Sequence, residues 1–108
     1  MGVCGACTVL VDDDPVSACL YLCGFVEGKD VWTVEGLVIR FPEVLAALVS
    51  EEGVQCGICT GGQVAAICSL VIDGNRADET SIREAMNGNL CRCTGYRTIV
   101  AAARAVLK

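Results

Sequence analysis

The sequence predicts an α+β chain: a β-rich unit over residues 1–36, then a unit of four helices over residues 42–108. Three observations carry this. Short β-branched runs bounded by Asp, Pro and Gly fill the first third. Apolar residues recur at helical spacing through the rest. The tripeptide Cys59-Thr60-Gly61 returns 34 positions later as Cys93-Thr94-Gly95, each time ahead of an amphipathic stretch, which suggests two similar helix pairs.

Thr8-Val9-Leu10-Val11 reads as a strand, Asp12-Asp13-Asp14-Pro15 as a turn and Val16-Ser17 as the return strand. Ala18 to Cys23 suits a short helical turn, and Val31-Trp32-Thr33-Val34 a further strand, with Gly36 as the exit. Helix one opens at Pro42, carries Val44, Leu45, Leu48 and Val49 as its apolar stripe and stops at Gly53. Helix two runs from Thr60 to about Ile72, apolar nearly all round and therefore central, and ends at Asp73-Gly74-Asn75. Helix three has Ser81 and Glu84 as a capping box, Asp78 as the alternative cap and Gly88 as its C-terminal glycine. Helix four starts near Gly95 and turns Ile99, Val100, Ala103, Val106 and Leu107 inward.

Bulk properties exclude several functions. The chain has 108 residues, a net charge of -5 and eight basic residues that form no cluster, which argues against nucleic-acid binding. Nine cysteines is an odd count, and no signal peptide precedes the first of them. A reducing, cytoplasmic setting with metal-bound thiolates fits better than a disulfide framework. Val54 to Ile72 carries no charge, yet its polar residues and glycines suit a helix buried in protein and not a membrane span. The apolar share of 54% points instead to large contacts with other subunits.

The chemistry lies in the cysteines. Cys56, Cys59, Cys91 and Cys93 are spaced C-x2-C-x31-C-x-C, each pair at a helix start. With no histidine in the chain, sulfur is the soft ligand on offer, and four thiolates suit zinc or an iron–sulfur cluster. The C-x-C half is awkward for structural zinc. A cluster held by four thiolates carries net negative charge, and two converging helix N-termini offer partial positive charge and free N–H groups. In the β-rich part, Cys4 and Cys7 match the second and third ligands of the plant-type ferredoxin spacing, whose first ligand would fall outside the chain. Asp12, Asp13 and Asp14 lack the glycine and glutamate of a calcium loop. Cys68 reads as a core thiol, and Cys23 as a packing residue or a substitute cluster ligand. No nucleophile–base pair or phosphate loop is visible.

The strings Gly2-Val3-Cys4-Gly5-Ala6-Cys7-Thr8-Val9, Val34-Glu35-Gly36-Leu37, Gln55-Cys56-Gly57-Ile58-Cys59-Thr60 and Gly88-Asn89-Leu90-Cys91-Arg92-Cys93-Thr94-Gly95-Tyr96 resemble the iron–sulfur subunit or domain of molybdenum hydroxylases, the xanthine dehydrogenase, aldehyde oxidoreductase and carbon monoxide dehydrogenase group. The resemblance implies two [2Fe–2S] clusters, one in a partial ferredoxin-like β-grasp unit and one in a four-helix domain. It implies that Cys56, Cys59, Cys91 and Cys93 ligate the second cluster and that Cys4, Cys7 and Cys19 supply three ligands of the first. It places Gln55 and Cys93 against the molybdopterin of a large subunit, with FAD in a medium subunit, and electrons passing from molybdenum through both clusters to the flavin. Two departures stand out: the N-terminal hairpin and one ligand of the first cluster are missing, and Gly61-Gly62 replaces the usual Pro-Gly. A free-standing ferredoxin-like carrier and a structural Cys4 zinc module are the alternatives.

Overall fold

A two-residue hairpin begins the architecture. Strand β1 (Thr8–Val11) pairs antiparallel with β2 (Asp14–Ser17), Val11 opposite Asp14. The turn is Asp12-Asp13, both left-handed at φ 47° and 69°, as the tight turn of a twisted hairpin requires. The expected four-residue turn is therefore shorter, and Asp14 and Pro15 belong to the strand. Pro15 is tolerated because β2 is an edge: the strand order is β2-β1-β3, with β3 (Val31–Trp32) antiparallel to β1. Asp12 fixes the approach to β3 through its backbone N–H and side chain, both bonded to Asp30 at 2.9 Å. The computed structural model describes residues 1–74 and 78–107. Asn75, expected in the stop of the central helix, and Lys108 lie outside the described residues.

The strand expected through Val34 ends at Trp32, and a helix not foreseen in the sequence, α1 (Val34–Arg40), follows at once. Val34, Leu37, Val38 and Phe41 have helical spacing, and that outweighs the β-branched run at 31–34. Arg40 closes the unit: its guanidinium stacks 4.9 Å from both the Trp32 and Phe41 ring centres and reaches Asp13 at 3.5 Å. Ala18–Cys23 forms no helix; a single 3-10 turn spans Cys23–Val26 instead.

Four further helices follow, as expected for residues 42 onward: α2 (Pro42–Ser50), α3 (Thr60–Asp73), α4 (Glu79–Ala85) and α5 (Arg97–Val106). Helix α3 is central. Every residue from Gly62 to Cys68 is buried, and α3 packs against β1, β2, α1, α2 and α5. Leu10 of the sheet shares one buried cluster with Leu37, Val44, Leu48, Val64, Ile67, Ile82 and Ile99, so the hydrophobic core is continuous from sheet to helices. Of the stripe expected on α2, Val44 and Leu48 are buried and Leu45 is half-buried, but Val49 is exposed beside Val38 and Pro42. The cap of α4 is Asp78, which accepts the Ser81 N–H at 2.8 Å; Ser81 is not the cap, and the helix ends at Met86 before reaching Gly88. Glu79 links α4 to α5 by bonding Arg83 at 2.9 Å and Arg104 at 3.2 Å.

Helix α2 ends in a two-bond Schellman motif: Glu52 N–H donates to Val49 O at 3.1 Å and Gly53 N–H to Leu48 O at 2.7 Å. Gly53 thus closes the stop as expected, and the left-handed residue is the one before it, Glu52 (φ 59°). A non-glycine residue there is strained by about 1–2 kcal/mol, against the roughly 0.5–1 kcal/mol that glycine loses in chain entropy. Glu52→Gly should therefore stabilise the fold by about 0.5–1 kcal/mol, read as a higher urea midpoint at unchanged slope.

Candidate metal centre

Three cysteine-bearing loops meet at the N-terminal end of α3. The Cys56-Gly57-Ile58-Cys59 loop turns at Gly57 (φ 86°), and Cys59 itself is the N-cap of α3. The Cys91–Tyr96 loop leads into α5, with Tyr96 as its N-cap. The Cys4–Cys7 loop precedes β1. A cavity of about 390 Å³ is lined by Cys56, Cys59, Cys91 and Cys93, with Cys4 and Arg92 also at its wall. The four thiols line this one cavity from two loops, and they interact electrostatically across it, Cys59 with Cys91 and Cys56 with Cys93. Among the described residues no three Cys, Asp or Glu side chains converge as they would around a single metal ion. Four thiols spread around an open cavity are the donor set that a two-iron cluster takes, whereas a tetrahedral zinc ion draws four sulfurs to one point. The residues present therefore fit a [2Fe–2S] cluster.

The thiols are not equivalent. Burial pushes Cys91 up, but bonds from the Thr94 hydroxyl at 3.1 Å and Thr94 N–H at 3.4 Å, from Cys93 N–H and from Cys59 outweigh it and bring it down to about 7. Burial raises Cys59, and the bond with Cys56 raises Cys93. Arg92 and Gln55 are exposed; Gln55 sits beside Cys56 outside the cavity wall.

Cys7 and Cys19 stand together in a second, more open place, while Cys4 lies at the wall of the first cavity. Gly2 N–H donates to Cys19 Sγ at 3.3 Å and Cys19 N–H to Cys7 Sγ at 3.4 Å. The Gly2 bond, then those from the Met1 amino group and Cys7, lower Cys19 to about 7. Cys23 is exposed at the start of the 3-10 turn and does not pack as a core thiol; Cys68 does, and burial pushes it up to about 12. All nine thiols are free.

Two polar residues with no evident role in the sequence hold these loops together. Asn89, 8% exposed, shares its two Nδ2 hydrogens among Gly5 O at 3.1 Å, Thr8 Oγ1 at 3.0 Å and Gly62 O at 3.2 Å. Gln63, 1% exposed, donates to Asn89 O at 2.9 Å. Leu90 N–H adds a backbone bond to Cys4 O at 2.8 Å. Gly5 (φ 73°) lies under this knot, where a side chain would strike Gly88 and Asn89. The available signal was Gln63 itself, an amide inside an uncharged helix that must find a partner once buried.

Comparison with known proteins agrees with this geometry. Residues 33–104 match the family described as "[2Fe-2S] binding domain". The chain belongs to that family. The xanthine dehydrogenase iron-sulfur-binding subunit of Escherichia coli O157:H7 is 42% identical over 104 residues, covering 93% of the chain and 65% of the relative. The nicotinate dehydrogenase small FeS subunit of Eubacterium barkeri is 42% identical over 105 residues, covering 95% and 67%. The crystal structure of quinoline 2-oxidoreductase from Pseudomonas putida 86 superposes with a TM-score of 0.88 at 39% identity, over 99% of this chain and 68% of that one. The two curated relatives are iron–sulfur subunits by name, and the chain spans somewhat under two thirds of the length of the first curated relatives it matches. No helix among the described residues is long and apolar enough to cross a membrane.

Proposed function

We propose that the chain relays electrons in a cytoplasmic molybdenum hydroxylase, from a molybdopterin-bearing large subunit toward an FAD-bearing medium subunit. The observation that carries this is the cavity at the N-terminus of α3 lined by Cys56, Cys59, Cys91 and Cys93. Cys56, Cys59, Cys91 and Cys93 hold one [2Fe–2S] cluster in the unit over residues 42–108. Cys4, Cys7 and Cys19 contribute to a second in the unit over residues 1–36. A bound [2Fe–2S] cluster takes up and releases one electron at a time. The chain's own residues supply thiolates, N–H groups and a site open on the side of Cys93 and Gln55, where the molybdopterin partner docks. Nothing in the chain turns over a substrate by itself.

The test is iron, acid-labile sulfide and molybdenum analysis of the natively purified complex, with EPR of the dithionite-reduced protein. The expected result is a red-brown protein with molybdenum in a copurifying chain, which loses about two irons per chain in Cys59→Ser. A colourless, zinc-loaded protein overturns the reading. Clusters without any molybdenum-bearing chain turn it to the free-standing carrier.

A further inference from the structure

The Thr94 hydroxyl lies 3.1 Å from Cys91 Sγ, and the direction of its hydrogen is fixed by a neighbour. Tyr96 N–H donates to Thr94 Oγ1 at 3.2 Å. A hydroxyl has one hydrogen to give, and an oxygen already accepting on one side directs that hydrogen to the remaining partner, the sulfur. The two bonds run in series, so the Tyr96 N–H polarises the hydroxyl and strengthens its donation. The relay sits on an unusual stretch of backbone. Tyr96 is a non-glycine residue in the left-handed region (φ 73°), a conformation that persists only where the surroundings impose it. Its own phenol oxygen accepts the Cys91 N–H at 3.0 Å, so Tyr96 grips both ends of the Cys91–Thr94 turn. The repeat elsewhere in the chain lacks the device: among the described residues no hydrogen bond runs from the Thr60 hydroxyl to a cysteine sulfur, although Cys59-Thr60-Gly61 echoes Cys93-Thr94-Gly95.

We infer that the Thr94 hydroxyl, aimed by Tyr96, sets the reduction potential of the centre held by Cys56, Cys59, Cys91 and Cys93; this rests on the ligand assignment proposed above. Reduction adds one electron, from the substrate-reduced partner in the complex or from dithionite in the test, and the Thr94 hydrogen stays on its oxygen throughout. A donor to ligand sulfur favours the more negative, reduced state, so its loss lowers the potential.

The experiment is an EPR-monitored redox titration of the natively purified, iron-loaded protein and its variants. Thr94→Val, of similar shape, should shift the reduced-to-oxidised ratio at a fixed potential about tenfold toward oxidised, which is about 59 mV for one electron. Thr94→Ser should restore most of the shift, and Thr60→Val should leave the midpoint in place. Deuterium ENDOR of the unmodified protein in D2O should show an exchangeable deuteron coupled to the cluster that Thr94→Val lacks. Full iron content with an unmoved midpoint in Thr94→Val overturns this inference alone. Absence of iron and sulfide from the unmodified protein overturns the ligand assignment and this inference with it. Should Thr94→Val not fold, Thr94→Ala takes its place: a lowered midpoint with loss of one exchangeable deuteron relative to Thr94→Ser supports the inference, and an unmoved midpoint overturns it.

Discussion

Asn89→Asp should remove about 3–5 kcal/mol of stability at pH 7 while exchanging one amide for one carboxylate. The Asn89 amide nitrogen faces three oxygens, those of Gly5, Gly62 and Thr8, in a buried position. A carboxylate there places negative charge against two carbonyls and a Thr8 hydroxyl whose hydrogen already goes to Gly5 O at 2.6 Å, and a poorly compensated buried charge is among the most destabilising changes available. The variant also has a definite pH signature. Burial and the carbonyl oxygens raise the folded pKa of the introduced carboxyl above the usual aspartate value of about 3.9. The folded state then binds the proton more tightly than the unfolded chain, so stability relative to the unmodified protein falls as pH rises from about 4 through the folded pKa. Urea midpoints of the two proteins, compared from acid to neutral pH, check this: the gap should widen with pH. A constant gap would mean that the position is not buried in the way described.

The adjacent glycines at the start of α3 should respond in opposite directions. A Cβ on Gly62 would fall on the Gly5 carbonyl oxygen, within 3.0 Å of its carbon and 3.2 Å of Ala6 Cα, all backbone that cannot swing aside. A Cβ on Gly61 would meet Val34 at an ordinary 3.6 Å. Alanine in place of helical glycine gains up to about 1 kcal/mol of propensity at either site. At Gly62 overpacking of about 3 kcal/mol or more wins, and the variant should lose about 2–3 kcal/mol net and pull the Cys4–Cys7 loop off the helix. At Gly61 nothing opposes the gain. Thermal midpoints should move by about 4–8 °C per kcal/mol, down for Gly62→Ala and up for Gly61→Ala. A shift of the same sign in both would remove the proposed clamp between α3 and Gly5.

These effects mark where the sequence was legible. That Cys56, Cys59, Cys91 and Cys93 come to one cavity was readable because cysteine spacing and helix starts are local properties, and the uncharged, all-round apolar run told that α3 is central. Helix α1 was hidden because Val31–Val34 carries β-branched side chains that suit a strand, while the helical spacing that wins extends to Phe41. Val49 was assigned inward from periodicity alone, yet its face of α2 has no partner among the described elements. Glu52 in place of a left-handed glycine obeys no propensity rule; the chain simply bears the strain. The roles of Asn89 and Thr94 rest on the partners that the tertiary fold brings to them, and only the folded chain reveals those.

The knot at Asn89 also bears on the order in which the molecule comes together. Its bonds to Gly5 and Thr8 span 84 and 81 positions, while its bond to Gly62 spans 27. Closing the longest loop is favourable only after the helices and the hairpin exist to hold its ends, so the contact between the Cys4–Cys7 and Cys91–Cys93 loops forms late, downstream of the folding barrier. Late contacts leave the folding rate alone and govern the unfolding rate. The stability lost in Asn89→Asp should accordingly appear as faster unfolding with little change in refolding. Cys4 and Cys7 accordingly stay apart from the Cys91–Cys93 loop until this last closure seats them beside it.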